Sequence, residues 1–397
     1  MNTTMNKTNS QNSSADDLVI TGLGMLTANG LGTETNTRLF SEAASKKSSE
    51  EYKVVGFNPA PHLTDRKVIK AVSHRDVLGL VAMEDCLKNS GISAQTINPD
   101  RTGLYVGAPP SSYEDLHNYN DAASASVDAY GVLNEKAFGE HFRSASPTTL
   151  LNGLPNNVLC YGAKTLDARG PNSNYTTMET SSHMAVMGAS RALRLGRIDC
   201  AVVGGYTAHS NKEFISSMKQ RGYGDATPVA EGAAFATLET RANAEKRGAK
   251  IVCKVLACAA ASDAAGPFQT NSASPALTDL IKQTMANAKV QACDVGVIMT
   301  SASGLKSADQ AEQTAVNTVW SSAEKPVVAA TATRWGNLME AGGIAEIGFL
   351  SDCYAKKSVP ESSIVGTTGK FNPEKRTAMI VRTSPWGEYS CMIVEMC

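Results

Sequence analysis

No histidine follows His209 in this 397-residue chain; its six histidines stand at 62, 74, 117, 141, 183 and 209. Whatever chemistry the rest of the chain supports, it has no imidazole of its own, the side chain that most often moves protons near neutral pH. Cysteines paired at metal-ligand spacing are also missing. The nine cysteines (86, 160, 200, 253, 258, 293, 353, 391 and 397) contain no CxxC pair, and their odd number fits reduced thiols rather than a disulfide framework. Cys253 and Cys258 lie in one strand-like stretch and are expected on opposite faces, so no shared metal is expected.

An excess of charge is lacking too. Thirty-seven basic against 38 acidic residues give a formal net charge of −1, which leaves no footprint for nucleic acid or an anionic membrane. Apolar runs such as 201–205 and 326–330 fall far short of the roughly 20 residues that a membrane helix needs. Residues 1–15 are rich in Asn, Ser and Thr without an apolar centre, which predicts a disordered tail over 1–16 rather than a signal peptide. These features together predict a cytoplasmic protein.

Against these absences stand 42% hydrophobic residues, enough for a sizeable core. Leu18-Val19-Ile20-Thr21-Gly22-Leu23-Gly24 reads as a buried strand entering a glycine turn, with Gly30 and Gly32 beyond. The spacing is not GxGxxG, so a dinucleotide site is not indicated and no cofactor is expected. Helices are expected over 36–44 and 75–89, the second stopped by Ser90-Gly91. A strand at 103–107 leads into a polar, aromatic-dotted and irregular excursion over 109–146, followed by a helix over 151–162. A strand at 230–239 closes this part. From 251 the plan restarts, with strands at 251–258, 295–300, 327–330, 377–382 and 390–395 and helices over 275–288, 309–320 and 341–354. The alternation predicts an α/β fold of two similar halves, 17–250 and 251–397, packed into one body.

Thr176-Thr177-Met178-Glu179-Thr180-Ser181-Ser182-His183 reads as strand, sharp turn and helix, with Glu179 where such turns usually carry a nucleophile. The positive end of the helix dipole is expected to keep Glu179 ionised. His183 is four residues on and on the same side of the helix, so a Glu–His pair is conceivable, with a buried histidine the stronger expectation. Ala185, Ala189 and Ala192 give that helix a face of small residues, and Met184 and Met187 read as core.

These pieces, with 164–172, Leu195-Gly196-Arg197-Ile198-Asp199, Val202-Val203-Gly204-Gly205 and Glu231-Gly232-Ala233-Ala234, occur in an order and spacing that resembles the β-ketoacyl-ACP synthases over about 17–395. The resemblance implies a thiolase-like, layered α-β-α-β-α fold built from two pseudo-repeats. Ketosynthases of this kind join acyl units with a Cys on the turn before the central helix and two His residues from the C-terminal half. The Thr-Ala-Cys-Thr-Ser-type motif falls on Thr177-Met178-Glu179-Thr180-Ser181, so Glu179 takes the nucleophile's place. Counting back from Asp309 puts the first His position on Ser301. The Lys-Ser-Xaa-Thr-Gly-His segment falls on Ala332-Thr333-Arg334-Trp335-Gly336-Asn337, so Lys has become Ala332 and His has become Asn337. Asp309 and Glu346 remain as the family's surrounding network, while Ser384-Pro385-Trp386-Gly387-Glu388 replaces its glycine-rich gate.

A ketosynthase-like chain with no catalytic residue intact resembles a chain-length factor, the inactive half of a type II polyketide synthase heterodimer. The resemblance then implies an active ketosynthase subunit as partner and an acyl carrier protein bearing a phosphopantetheine-bound chain. Tyr113, Tyr119, Tyr130 and Phe142 become candidates for an acyl-tunnel wall, and Asn172 and Tyr175 for an interface strand paired across a pseudo-twofold axis. Chain-length factors often carry Gln where this chain has Glu179; Glu can match that neutral side chain only by taking up a proton. The difference leaves room for a branch making reduced or aryl polyenes. The alternative is a self-standing homodimeric acyltransferase, decarboxylase or hydrolase using Glu179.

Overall fold

Strands that are apolar along their whole length need cover on both faces, and this chain supplies that cover with helices. The computed structural model describes residues 16–38, 40, 52–110, 117–143, 149–209, 211–224, 227–266, 269–366 and 369–397. Its strands are β1 (Leu18–Thr27), β2 (Gly30–Leu31), β3 (Thr102–Gly107), β4 (Asn172–Tyr175), β5 (Cys200–Ala208) and β6 (Glu231–Thr240). They continue as β7 (Cys253–Ser262), β8 (Val295–Met299), β9 (Val327–Ala329), β10 (Thr377–Thr383) and β11 (Glu388–Met396).

The strand order is β4-β3-β5-β6-β1-β7-β11-β10-β8-β9, with β2 paired to β1. Read outward from the β1–β7 junction, the halves match. Each has two antiparallel pairings (β1–β6–β5 and β7–β11–β10) and then two parallel ones (β5–β3–β4 and β10–β8–β9). The halves enclose the helices Ser181–Arg194 and Gly342–Lys356, whose Ala185, Ala189, Ile344 and Phe349 share one core with Ala201, Val203, Ala236, Val297 and Ile380. Separate cores form on the outer faces, around helix His74–Ser90 in the first half and helix Pro275–Ala288 in the second. The result is the thiolase-like α-β-α-β-α layering that the resemblance implied.

The sheet's two ends differ. Beyond β9, Ala329 bridges Ile364, and Val365 donates its N–H to Val328 O at 3.0 Å, so the segment around 363–365 covers that edge. Beyond β4 no strand pairs among the described residues, and Asn172 is exposed with Ser173, Asn174 and Tyr175 half-buried.

Four expectations change. The helix expected over 151–162 is two helices, Thr149–Asn152 and Asn157–Leu166, because Pro155 has no N–H to carry a ladder through. The helix expected over 36–44 starts earlier, at Thr33, and runs to Arg38, with most of 39–51 outside the described residues. The excursion is not irregular throughout: it contains helices His117–Ser124 and Glu135–Phe142. Finally, Cys253 and Cys258 pack against the same core, because the β7–β11 register shifts between Ile393 and Val394 and resets the alternation. Still, no group of metal-ligating side chains forms among the described residues.

Candidate functional site

The turn from β4 into the central helix is built around a left-handed residue. Met178 has φ 54°, a conformation that costs a side-chain-bearing residue energy and persists where surroundings impose it. The Thr177 N–H donates to Ser181 Oγ at 2.9 Å, and Thr180 Oγ1 donates to Thr177 O at 2.9 Å, closing the turn. Glu179 therefore points inward and is fully buried. Its Oε1 accepts from Asn337 Nδ2 at 3.1 Å and from Tyr223 OH at 3.2 Å, while its backbone O accepts from Arg382 Nε at 3.4 Å. Oε2 has no hydrogen-bond partner among the described residues.

Burial pushes the Glu179 carboxyl above its ordinary range; Arg382 and the Asn337 bond hold part of the rise back, and Glu340 adds to it. The helix dipole expected to keep Glu179 ionised is thus outweighed by desolvation. The conceivable pairing with His183 does not form. His183 Nδ1 meets Ser390 Oγ at 2.9 Å, and burial, with Arg382 nearby, lowers its pKa to about 3, so the ring is neutral.

Asn337 and Ser301, which the resemblance lines up with the family's two histidine positions, fall at unequal distances from Glu179. Asn337 touches it and also donates to Ser303 O at 3.3 Å. Ser301 is one step removed: its N–H donates to Glu312 Oε2 at 3.0 Å, and its Oγ accepts from Thr383 N at 3.0 Å. Asp309 fixes the same loop by accepting from Ser303 N at 2.8 Å and Gly304 N at 3.1 Å. Glu346 accepts from Arg382 Nη1 at 2.9 Å in a buried ion pair. Burial lifts the Glu346 pKa to about 7 despite Arg382. Arg382, the cation that answers Glu346, comes from β10.

Four residues at the site, Tyr223, Arg382, His209 and Glu340, were not singled out from sequence. Tyr223, the one aromatic in Gln220-Arg221-Gly222-Tyr223-Gly224, reaches Glu179 through its hydroxyl and packs with Met178, Met218, Leu305, Ala308 and Met339 over it. Arg382 ends an apolar strand, an unusual place for a cation. His209 Nε2 lies 2.9 Å from Glu340 Oε1, with both side chains buried, and its ring stacks on Phe214 at 4.2 Å. Glu340 interrupts the small apolar run Leu338-Met339-Glu340-Ala341-Gly342-Gly343, a signal that could have been read. Gly205 makes room for it, since a Cβ there would lie 2.1 Å from Glu340 O. One imidazole thus does stand beside the site, supplied by the first half.

The interface and tunnel candidates separate. Asn172 and Tyr175 lie on the open β4 strand. Tyr119 and Phe142 are spent on one another, with ring centroids 6.0 Å apart and Phe138 between the two helices. Tyr130 is 93% exposed, on a turn where Asp128 Oδ1 accepts from Tyr130 N at 2.8 Å and Val132 N at 2.9 Å. Tyr113 lies outside the described residues.

A thiolase-like body with buried Glu179 on the turn into its central helix, Asn337 against it and Ser301 one step away defines a ketosynthase-like protein. Residues 15–241 match the model of the beta-ketoacyl synthase N-terminal domain, and 252–363 match that of its C-terminal domain. The chain belongs to the beta-ketoacyl synthase family. It is 25% identical over 340 residues to nodulation protein E of Rhizobium meliloti, covering 76% of this chain and 77% of that protein. It is also 25% identical over 308 residues to polyketide synthase GfsA of Streptomyces halstedii, covering 73% of this chain but only 4% of GfsA. Among solved structures, the ishigamide ketosynthase/chain length factor superposes with a TM-score of 0.78 at 17% identity, covering 96% of this chain and all (100%) of that one. AntDE:AntF, a type II polyketide synthase acyl-carrier protein in complex with its ketosynthase bound to the hexaketide, gives 0.78 at 16% identity, covering 96% and 100%.

Proposed function

We propose that this chain is a chain-length-factor subunit of a type II polyketide synthase. It carries out no condensation itself, pairs with an active ketosynthase, and helps shape the acyl tunnel that limits growth of the chain built from malonyl groups on acyl carrier protein. The observation that carries the reading is the state of position 179. A buried carboxyl held by Asn337 and Tyr223 offers no thiolate to take an acyl group, and among the described residues no imidazole donates to it to stabilise the negative charge of decarboxylation. Protonated, as burial favours, Glu179 has the neutral shape of the Gln that often stands there. The open β4 edge and the exposed apolar turn at Val127, Tyr130, Val132 and Leu133 support an interface with a second thiolase-fold chain.

The test is co-expression with an intact ketosynthase from the same genome, followed by native mass measurement and assay with malonyl-loaded carrier protein. A one-to-one complex that condenses, alongside an inert isolated chain, is the expected result. The rival, a self-standing acyltransferase, decarboxylase or hydrolase using Glu179, gains one feature from the nearby His209–Glu340 pair. It would replace the first reading if the isolated chain turned over acyl thioesters and Glu179→Ala abolished that turnover.

A further inference from the structure

The surface invoked above has two separate pieces, the β4 edge and the excursion that leaves β3 and returns at helix Asn157–Leu166. Both are tied to a polar hub inside the first half. Asp76, fully buried at the start of helix His74–Ser90, accepts from Ser73 Oγ at 2.8 Å and from Asn157 Nδ2 at 2.9 Å. The Tyr206 hydroxyl lies 3.1 Å from Asp76 Oδ1 and 3.0 Å from Pro155 O. Asn157 Nδ2 also reaches Leu151 O at 2.9 Å. On the outgoing limb, buried Arg75 donates from Nη1 to Pro110 O at 2.5 Å. Pro155 O is the meeting point, because Asn174 Nδ2 of β4 donates to it at 3.3 Å.

Backbone carbonyls at both ends of the excursion are therefore held by side chains rooted in the core, and one of them is shared with the strand edge. We propose that Tyr206 and Asp76 are positioning residues for partner recognition: they lock the excursion's return limb to β4, so that both pieces meet the partner as one preorganised surface. Preorganisation strengthens binding by removing the ordering cost that a loose limb would incur on association. The Tyr206 ring sits in the outer core with Leu80, Val158 and Phe235, so its packing does not depend on its hydroxyl.

The proposal rests on the heterodimer reading, and the experiment separates the two. Tyr206→Phe deletes one buried hydroxyl and keeps the ring. Tyr354→Phe is the matched control, because Tyr354 OH donates to Lys375 O at 2.7 Å in the other half of the chain. Hydrogen exchange on the isolated chain and dissociation constants with the intact ketosynthase are measured for both. Tyr206→Phe should accelerate exchange at 151–157 and 172–175 and weaken the complex about tenfold, the scale of one lost buried hydrogen bond. Tyr354→Phe should change neither. Unchanged exchange in Tyr206→Phe, or equal weakening by both variants, overturns the proposal while leaving the heterodimer reading intact. Absence of any complex with the wild-type chain takes down that reading, and this one with it.

Discussion

Two regions of this molecule reverse the usual distribution of side chains. Around Glu179 the interior is polar and titratable: Glu179, Glu312, Glu340, Glu346, His209 and Arg382 are all buried. At the excursion turn the surface is apolar, with Val127, Tyr130, Val132 and Leu133 exposed. Buried polar groups cost free energy that a core does not incur, and exposed apolar ones forfeit burial. The interior keeps a buried network of charged and polar groups around Glu179, while the turn offers area for association. On the proposed reading, the work of this chain lies in that exposed surface rather than in the buried site.

The contrast can be broken most severely from within. Arg382→Ala strands Glu346 as a buried charge without its cation and should destabilise the fold by about 3–5 kcal/mol in urea denaturation. Arg382→Met combined with Glu346→Gln should recover much of that loss. From the outside, Tyr130→Asp should weaken the complex by about 2 kcal/mol, measured by titration calorimetry, while shifting the stability of the isolated chain by no more than about 0.5 kcal/mol. Equal effects on both quantities would erase the distinction between the regions.

Smaller effects concern pH. Burial and the neighbouring Asp309 lift the Glu312 pKa to about 8 from an ordinary 4.5. In the unfolded chain this group gives up its proton near 4.5, whereas the folded chain keeps it until about 8. The Glu312 contribution is therefore fully present below the lower value, declines as pH rises between the two and is lost above the upper one. Glu312→Gln should flatten the fall of Tm between pH 6 and 8, and an unaltered slope would refute the assignment. The smallest change is expected of Glu179→Gln. It keeps the shape, and burial already favours the uncharged carboxyl, so stability near pH 7 should move by less than about 1 kcal/mol in thermal denaturation, and the complex should persist.

Much of this was legible in the sequence because motifs are local. The strands and the turn at Thr177–Ser181 follow from short stretches read in order. Compensations were not legible, since they join distant segments: Arg382 answers Glu346 across 36 positions, and Tyr223 reaches Glu179 across 44. His209 shows the limit of an argument from absence. The half after it does lack imidazole, yet folding delivers one from the other half to within hydrogen-bond distance of Glu340. The dipole argument at Glu179 failed for another reason, because it weighed a helix terminus without knowing how deeply the turn is buried.

The unequal ends of the sheet bear on stoichiometry. Two open strand edges would let chains add one after another into a fibre, whereas a single open edge gives assembly a stopping point. With β9 covered by the segment around 363–365, a second chain taking β4 would leave neither end of the main strand order open to a third among the described residues.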